Sequence, residues 1–145
     1  MEIFVATRPS EVPAGCRRFI SVDGSVPGAA VTWDHHVTGD AINLDAMPER
    51  FDVTGFDGVA TTLPDADALV SVVAVLFGGK GELPRPVRAC FEAAAHWCDH
   101  LQPHPAHDPE SNRLGRGLLD AIDAELAGTR AERAARFVAL CRRIA

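Results

Sequence analysis

Short apolar runs separated by glycine, proline and aspartate make up the first half of the chain, up to about residue 80. Four of these runs predict β-strands, over residues 3–7, 18–22, 29–33 and 58–63. Their apolar positions are continuous rather than alternating, as in parallel strands that other elements cover on both faces. The pattern therefore predicts a mainly parallel sheet in this half.

Helical patterns dominate from residue 66 onward. An apolar run over 67–77 predicts a helix buried on most sides, and Gly78 and Gly79 mark its end. Proline or capping residues at suitable positions predict three further helices, over 86–101, 109–127 and 130–145. A strand-rich half followed by helices is typical of an α/β layer with a helical cap.

The length of 145 residues suits one domain with a substantial core. We therefore expect a single α/β domain over 1–145, with a mainly parallel sheet, flanking helices and a helical C-terminal half. Residues 18–77 carry the chemical motifs, and residues 86–145 form the helical part. The helical pattern runs to the last residue, as expected if the sequence is one part of a longer protein.

Composition and charge exclude several classes of protein. Hydrophobic residues make up 47% and charged residues 23%, which excludes wholesale disorder. The net charge of −6 argues against non-specific binding to nucleic acids, although a nucleotide or nucleic-acid substrate reached through metal ions stays open. The longest apolar run, 68–77, is too short to span a membrane, and the first residues lack the basic start of a signal peptide. Four scattered cysteines without a CxxC pair favour reduced thiols in a cytoplasmic protein.

Aspartates and histidines follow three of the four predicted strands. They are Asp23 after the second strand, Asp34, His35 and His36 after the third, and Asp65 and Asp67 after the fourth. Because the carboxyl ends of parallel strands meet at one edge of a sheet, we expect these side chains to converge there. Carboxylates and imidazoles suit Mn²⁺, Mg²⁺, Fe²⁺ or Zn²⁺, and a carboxylate-rich set favours Mn²⁺ or Mg²⁺.

The sequence around these residues resembles the DHH phosphoesterase family. Residues 21–24 (Ser-Val-Asp-Gly) and 33–36 (Trp-Asp-His-His) resemble the family's second and third motifs. Residues 60–71 resemble its first motif, a strand followed by His-x-x-Pro-Asp-x-Asp-Ala. The resemblance implies one or two Mn²⁺ (or Mg²⁺) ions, bound by the residues that match the motifs: Asp23, His35, His36, Asp65 and Asp67. It also implies hydrolysis of a phosphoester or phosphoanhydride in a phosphorylated small molecule or nucleotide.

The same resemblance implies roles for two further aspartates. Asp34 would orient the metal ligands or bind the metal beside them. Asp34 or His36 would pass a proton to the leaving group. Asp99 is the candidate for the additional metal-binding aspartate of the family's fourth motif. Two metal ions would lower the pKa of a water between them and stabilise the charge on the phosphoryl oxygens.

Two features depart from the family pattern. The segment that resembles the first motif follows the other two along the chain, as in a circular permutation. Thr61 stands where the first motif has its histidine. Since a threonine is a poor metal ligand, we expect one metal to bind weakly or not at all, and hydrolysis to be slow or absent.

Other functions stay open at this point. The chain could be a degenerate DHH-like module that binds a nucleotide or a metal without catalysis. It could also be a structural α/β domain whose helical half packs on a partner or on a second copy of itself. Individual residues have simpler interpretations too: Asp65 is a suitable helix cap, and His96 and His100 either chelate a metal or form a solvated helix end. Candidate phosphate-binding cations are Arg17, Arg18, Lys80 and Arg113.

Overall fold

Four parallel strands form one sheet in the order β1-β4-β2-β3 in the computed structural model, which describes residues 1–145. The strands are β1 (Glu2–Val5), β2 (Phe19–Val22), β3 (Val31–Trp33) and β4 (Gly58–Thr61). The central strands β2 and β4 are buried at every position, and they pair with Phe19 opposite Gly58. Continuous apolar runs in these strands are explained by this burial on both faces.

Six helices accompany the sheet. They are α1 (His35–Thr38), α2 (Asn43–Ala46), α3 (Ala66–Leu76), α4 (Arg85–His100), α5 (Pro109–Glu125) and α6 (Arg130–Ile144). Single 3₁₀ turns lie at Pro9–Glu11 and Lys80–Glu82. None of the helices is long and apolar enough to cross a membrane.

The predicted α/β fold with a parallel sheet and a helical C-terminal half is confirmed. Every predicted strand and helix is present, with ends that differ by at most two residues. The short helices α1 and α2 are not among the predicted elements, because four residues are too few to show helical periodicity. They carry His35 and Asn43, which both belong to the candidate site.

Helix α3 is the centre of the core. Its residues from Ala66 to Val75 are all buried, and the apolar ones among them pack in one cluster with strand residues such as Ile20 and Val59. A helix that is apolar on all sides requires such surroundings. Burial fixes the N-terminus of α3 directly beyond the end of β4, so Asp65 and Asp67 cannot move away from the edge of the sheet.

The connection from β2 to β3 is short for two parallel strands and contains no helix. It begins with two unusual backbone conformations, Asp23 at φ 48° and Gly24 at φ 131°. A Cβ atom on Gly24 would overlap the Thr62 hydroxyl, so only glycine fits there. The tight turn holds the Asp23 side chain at the carboxyl end of the sheet.

Candidate metal centre

The six predicted ligands come from four different elements at the carboxyl end of the sheet. Asp23 follows β2, His35 and His36 begin α1, Asp65 and Asp67 begin α3, and Asp99 lies near the end of α4. The structure brings the side chains of five of them, Asp23, His35, His36, Asp67 and Asp99, within 4.8 Å in two overlapping groups of ligand atoms that share His35.

The imidazole of His35 lies at the centre of this arrangement. Its Nε2 atom is 3.1 Å from Asp23 Oδ1, 3.3 Å from Asp99 Oδ2 and 3.5 Å from Asp67 Oδ2. The His35 and Asp23 side chains are only 9% and 5% exposed, and the Asp67 side chain is fully buried. Three carboxylates thus surround one nitrogen in a site that is largely closed to water.

Hydrogen bonding sets the direction of the His35 ring. Its Nδ1 lies 3.2 Å from the Asp40 carbonyl oxygen, which can only accept, so Nδ1 carries the proton. In the neutral ring the Nε2 lone pair then points among the carboxylates. Second-sphere bonds of this kind orient histidines that bind metals.

Three buried atoms in the cluster, Asp23 Oδ1, His35 Nε2 and Asp67 Oδ1, have no hydrogen-bond donor when the His35 ring carries its single proton on Nδ1. Unpartnered buried acceptors are rare in proteins because each one loses its hydration without a replacement. All three are ordinary metal-ligand atoms. The donor set therefore fits a divalent cation.

The raised pKa values of the carboxyl groups also favour a bound cation. Burial, and then the charges of Asp65, Asp99 and Asp34, raise the pKa of Asp23 to about 8. Burial and a hydrogen bond with Asp99 raise the pKa of Asp67 well above its usual value. Burial also raises the pKa of Asp65. Crowded acids of this kind keep protons unless a cation neutralises them.

Asn43, at the start of α2, connects two of the candidate ligands. Its side-chain oxygen accepts from the backbone N–H of His35 at 3.1 Å, and its own backbone N–H donates to Asp67 Oδ2 at 3.1 Å. The amide nitrogen donates to Ser71 Oγ at 3.1 Å. Sequence reasoning missed Asn43, since an isolated asparagine in a loop carries no recognisable pattern.

Asp34 and His36 form a pair at the mouth of the cluster. Asp34 caps α1 by accepting from the His36 backbone N–H at 3.0 Å, and the same oxygen accepts from His36 Nδ1 at 2.8 Å. The His36 side chain is 67% exposed, and its Nδ1 is 3.8 Å from Asp23 Oδ1. Asp34 thus holds His36 in place at the solvent side of the centre.

Asp65 and Asp99 border the centre in different ways. Asp65 caps α3, with Oδ1 accepting from the Ala68 backbone N–H at 2.9 Å, as a helix-cap interpretation predicts. It is also close enough to Asp23 for their carboxyl groups to share a hydrogen bond. The Asp99 side chain is 20% exposed, so this carboxylate closes the cluster from the side of α4.

Thr61 stands at the position where the resemblance to the first motif leads us to expect a histidine, and its hydroxyl lies close to backbone carbonyl oxygens. Its Oγ1 donates to the carbonyl oxygen of Asp23 at 3.2 Å and lies 3.4 Å from that of Leu63. The residue is fully buried at the end of β4. Its hydroxyl supports the backbone of a candidate ligand.

None of the four cations considered for phosphate binding contacts the cluster through its side chain. Lys80 pairs with Glu49 and Arg113 with Glu110, while the Arg17 and Arg18 backbones bind Asp57. A different arginine lies nearer, because Arg133 on α6 donates to the Pro64 carbonyl at 3.2 Å, next to Asp65. No signal in the sequence distinguishes Arg133 from the other arginines of α6.

The interpretation of His96 and His100 as a solvated helix end is wrong for His96, which is buried. Its Nδ1 lies 2.9 Å from the Gln102 carbonyl oxygen, while His100 Nε2 lies 2.6 Å from the Ala41 carbonyl oxygen. Both histidines therefore connect α4 to neighbouring loops, through bonds that a count of helical spacing does not reveal.

Comparison with known proteins adds no assignment. No protein-family model matches the chain, and neither the curated proteins nor the solved structures that were searched contain a match. The resemblance to DHH phosphoesterases accordingly depends on the motif residues alone.

Proposed function

We propose that the chain is a divalent-metal-dependent phosphoesterase-like protein that acts on a phosphoester or phosphoanhydride. The observation that supports this most is the set of buried, unpartnered ligand atoms on Asp23, His35 and Asp67. Asp99 completes the ligand set from α4, and Asp65 and His36 lie beside it. Mn²⁺ or Mg²⁺ suits this carboxylate-rich set.

A bound divalent ion would supply a Lewis acid that neutralises phosphoryl charge and activates water. The chain itself contributes the proton chemistry. Asp34 accepts from His36 Nδ1, which leaves Nε2 of this exposed ring available to exchange a proton with a leaving oxygen. The substrate class is a phosphorylated small molecule or a nucleotide. Such an anion could approach the acidic site because a bound cation would offset the charge of the carboxylates.

The test is Mn²⁺-dependent hydrolysis by the stripped and reloaded chain, with a generic phosphodiester and a set of nucleotides as substrates. His36→Ala should abolish turnover while the ion stays bound, and Asp67→Asn should abolish both binding and turnover. His100→Ala is the matched control, because His100 is exposed and bonds only to the Ala41 carbonyl. Turnover that survives His36→Ala and Asp67→Asn would reject the proposal.

A second candidate function is metal or nucleotide binding without catalysis, and Thr61 favours it. Its hydroxyl bonds to the Asp23 and Leu63 carbonyls, so one ligand of a two-ion site is missing. Thr61→His should raise Mn²⁺ stoichiometry towards two and increase turnover if the site is a degenerate two-ion centre. Unchanged stoichiometry in a folded variant would show that Thr61 does not occupy a ligand position.

A further inference from the structure

A second group of metal-ligand side chains lies where the loop between α4 and α5 crosses α4, and it shares no residue with the candidate metal centre. Glu92 on α4 and His104 and His107 in the loop each offer one ligand atom, and these atoms lie within 4.8 Å of one another. His107 Nε2 is 2.7 Å from Glu92 Oε2, and the rings of His104 and His107 are 4.3 Å apart. We propose that these three side chains bind a divalent transition-metal ion of the zinc type.

The chemistry of the three ligands supports a borderline metal. Two imidazoles and one carboxylate are a ligand set that Zn²⁺ takes in proteins, whereas Mg²⁺ and Mn²⁺ prefer oxygen. The site thus differs in metal preference from the carboxylate-rich centre around His35. A cavity of about 550 Å³, lined by both histidines, Trp97 and Arg116, adjoins the site and leaves room for a fourth, exogenous ligand.

Asn112 holds the two histidines in place before any ion binds. Its side-chain oxygen accepts from the His104 backbone N–H at 2.7 Å. Its amide nitrogen donates to the carbonyl oxygens of His104 at 3.1 Å and His107 at 3.2 Å. This asparagine is buried on α5, so the loop does not need to fold around the metal, and little ordering entropy opposes binding.

The local charge also permits a cation. Glu92 Oε1 accepts from Arg88 at 2.8 Å, but Glu49 holds the same guanidinium with both oxygens, at 2.7 and 3.0 Å. Glu49 and Glu92 therefore share the single positive charge of Arg88, and Glu92 uses only Oε1 for it. Glu92 Oε2 thus remains available to bind a metal ion. The Glu92 and His107 side chains are 13% and 19% exposed, so water weakens their interaction with an ion only partly.

An ion at this site would displace contacts that the two histidines already make. Burial and the nearby His107 and His96 lower the pKa of His104 from its ordinary value. Its Nδ1 accepts the Ala106 backbone N–H at 3.1 Å, and an ion that binds there would compete with this amide. An ion between His107 and Glu92 would take the place of their direct 2.7 Å contact.

The experiment is calorimetric titration of the chelator-stripped full chain with Zn²⁺. We expect a saturable binding event at this site. Glu92→Gln and His107→Ala should each weaken this event by more than about tenfold, because each removes a ligand. His100→Ala is the matched control, and the same losses should appear in an Asp67→Asn background, in which the other centre lacks one of its candidate ligands.

Ring ¹⁵N signals of the wild-type chain provide a measurement that needs no variant. Zn²⁺ should shift the signals of His104 and His107. The inference is wrong if only His35 and His36 respond, or if Glu92→Gln and His107→Ala bind Zn²⁺ as tightly as the wild type. In that case the Glu92–His107 contact is an ion pair that fastens the loop to α4.

Discussion

The hydroxyl of Thr61 donates a hydrogen bond to the carbonyl oxygen of Asp23 across the ends of β4 and β2, at 3.2 Å. Asp23 has a positive φ of 48°, which few residues other than glycine adopt without strain. Thr61 therefore helps to hold Asp23 in the conformation that directs its side chain towards His35.

Replacing Thr61 by valine should lower both stability and metal affinity. Valine keeps the shape but removes the donor, so the Asp23 carbonyl loses a partner, which costs about 1–3 kcal/mol when the group is buried. Urea denaturation and Mn²⁺ titration measure the two effects. Thr61→Ser retains the hydroxyl and should keep wild-type affinity; equal losses in the valine and serine variants would show that packing, and not the hydrogen bond, matters here.

Asn43→Ala should weaken metal binding about 10- to 100-fold, as loss of a second-sphere partner typically does. The variant removes the acceptor of the His35 backbone N–H, whereas the backbone N–H of residue 43 still donates to Asp67 Oδ2. Ser71→Ala is the control, because it removes only the far end of the network. If Ser71→Ala and Asn43→Ala weaken Mn²⁺ binding equally, Asn43 does not act through His35.

Two substitutions of Asp65 should separate its role as a helix cap from its role beside the metal. Asp65→Asn keeps an oxygen that accepts from Ala68 N–H, so stability should change little while Mn²⁺ affinity falls. Asp65→Ala should lose affinity and also about 1 kcal/mol of stability, since the cap is gone. Unchanged affinity in Asp65→Asn, checked by titration, would leave Asp65 as a cap alone.

Without metal, the stability of the chain should fall as pH rises between about 4 and 8. The pKa of Asp23 is raised to about 8, so in this range the folded chain holds a proton that the unfolded chain has released. Because the native state binds more protons, unfolding becomes easier with rising pH, by up to about 1.4 kcal/mol per pH unit for this group. The raised pKa values of Asp65 and Asp67 act in the same direction.

Denaturation of the chelator-treated chain at several pH values measures this slope. Asp23→Asn should flatten it, since asparagine removes the charge and tolerates the positive φ. Saturating Mn²⁺ should reduce the loss of stability with rising pH, because deprotonated carboxylates bind the ion more tightly at higher pH. A slope that Asp23→Asn leaves unchanged would mean that other groups control the pH dependence.

The sequence predicted the fold well because its signals are local. Continuous apolar runs marked β2 and β4, and caps such as Asp108 and Thr129 marked the helix starts, where both side chains do accept from backbone N–H groups. The meeting of Asp23, His35 and Asp67 followed from the rule that parallel strands end at one edge. Asp99 is a candidate only through the resemblance to a family motif, and its position depends on the packing of α4, which no local pattern contains.

What the sequence could not reveal depends on contacts between distant segments. Asn43 reaches His35, Asp67 and Ser71 only because α2 folds against α3. In the same way, Asn112 on α5 binds the backbone of a loop that precedes it and so positions His104 and His107. Neither asparagine lies in a recognisable motif, since its partners lie on other segments of the chain.

Mn²⁺ stoichiometry of the chelator-stripped chain tests the proposed metal centre most directly. Equilibrium dialysis should find at least one ion per chain, lost in Asp67→Asn, and the ion should raise thermal stability by about 2.7 kcal/mol at a hundredfold excess over its dissociation constant. No bound Mn²⁺ or Mg²⁺, together with superimposable melting curves in chelator and in excess metal, would contradict the metal centre.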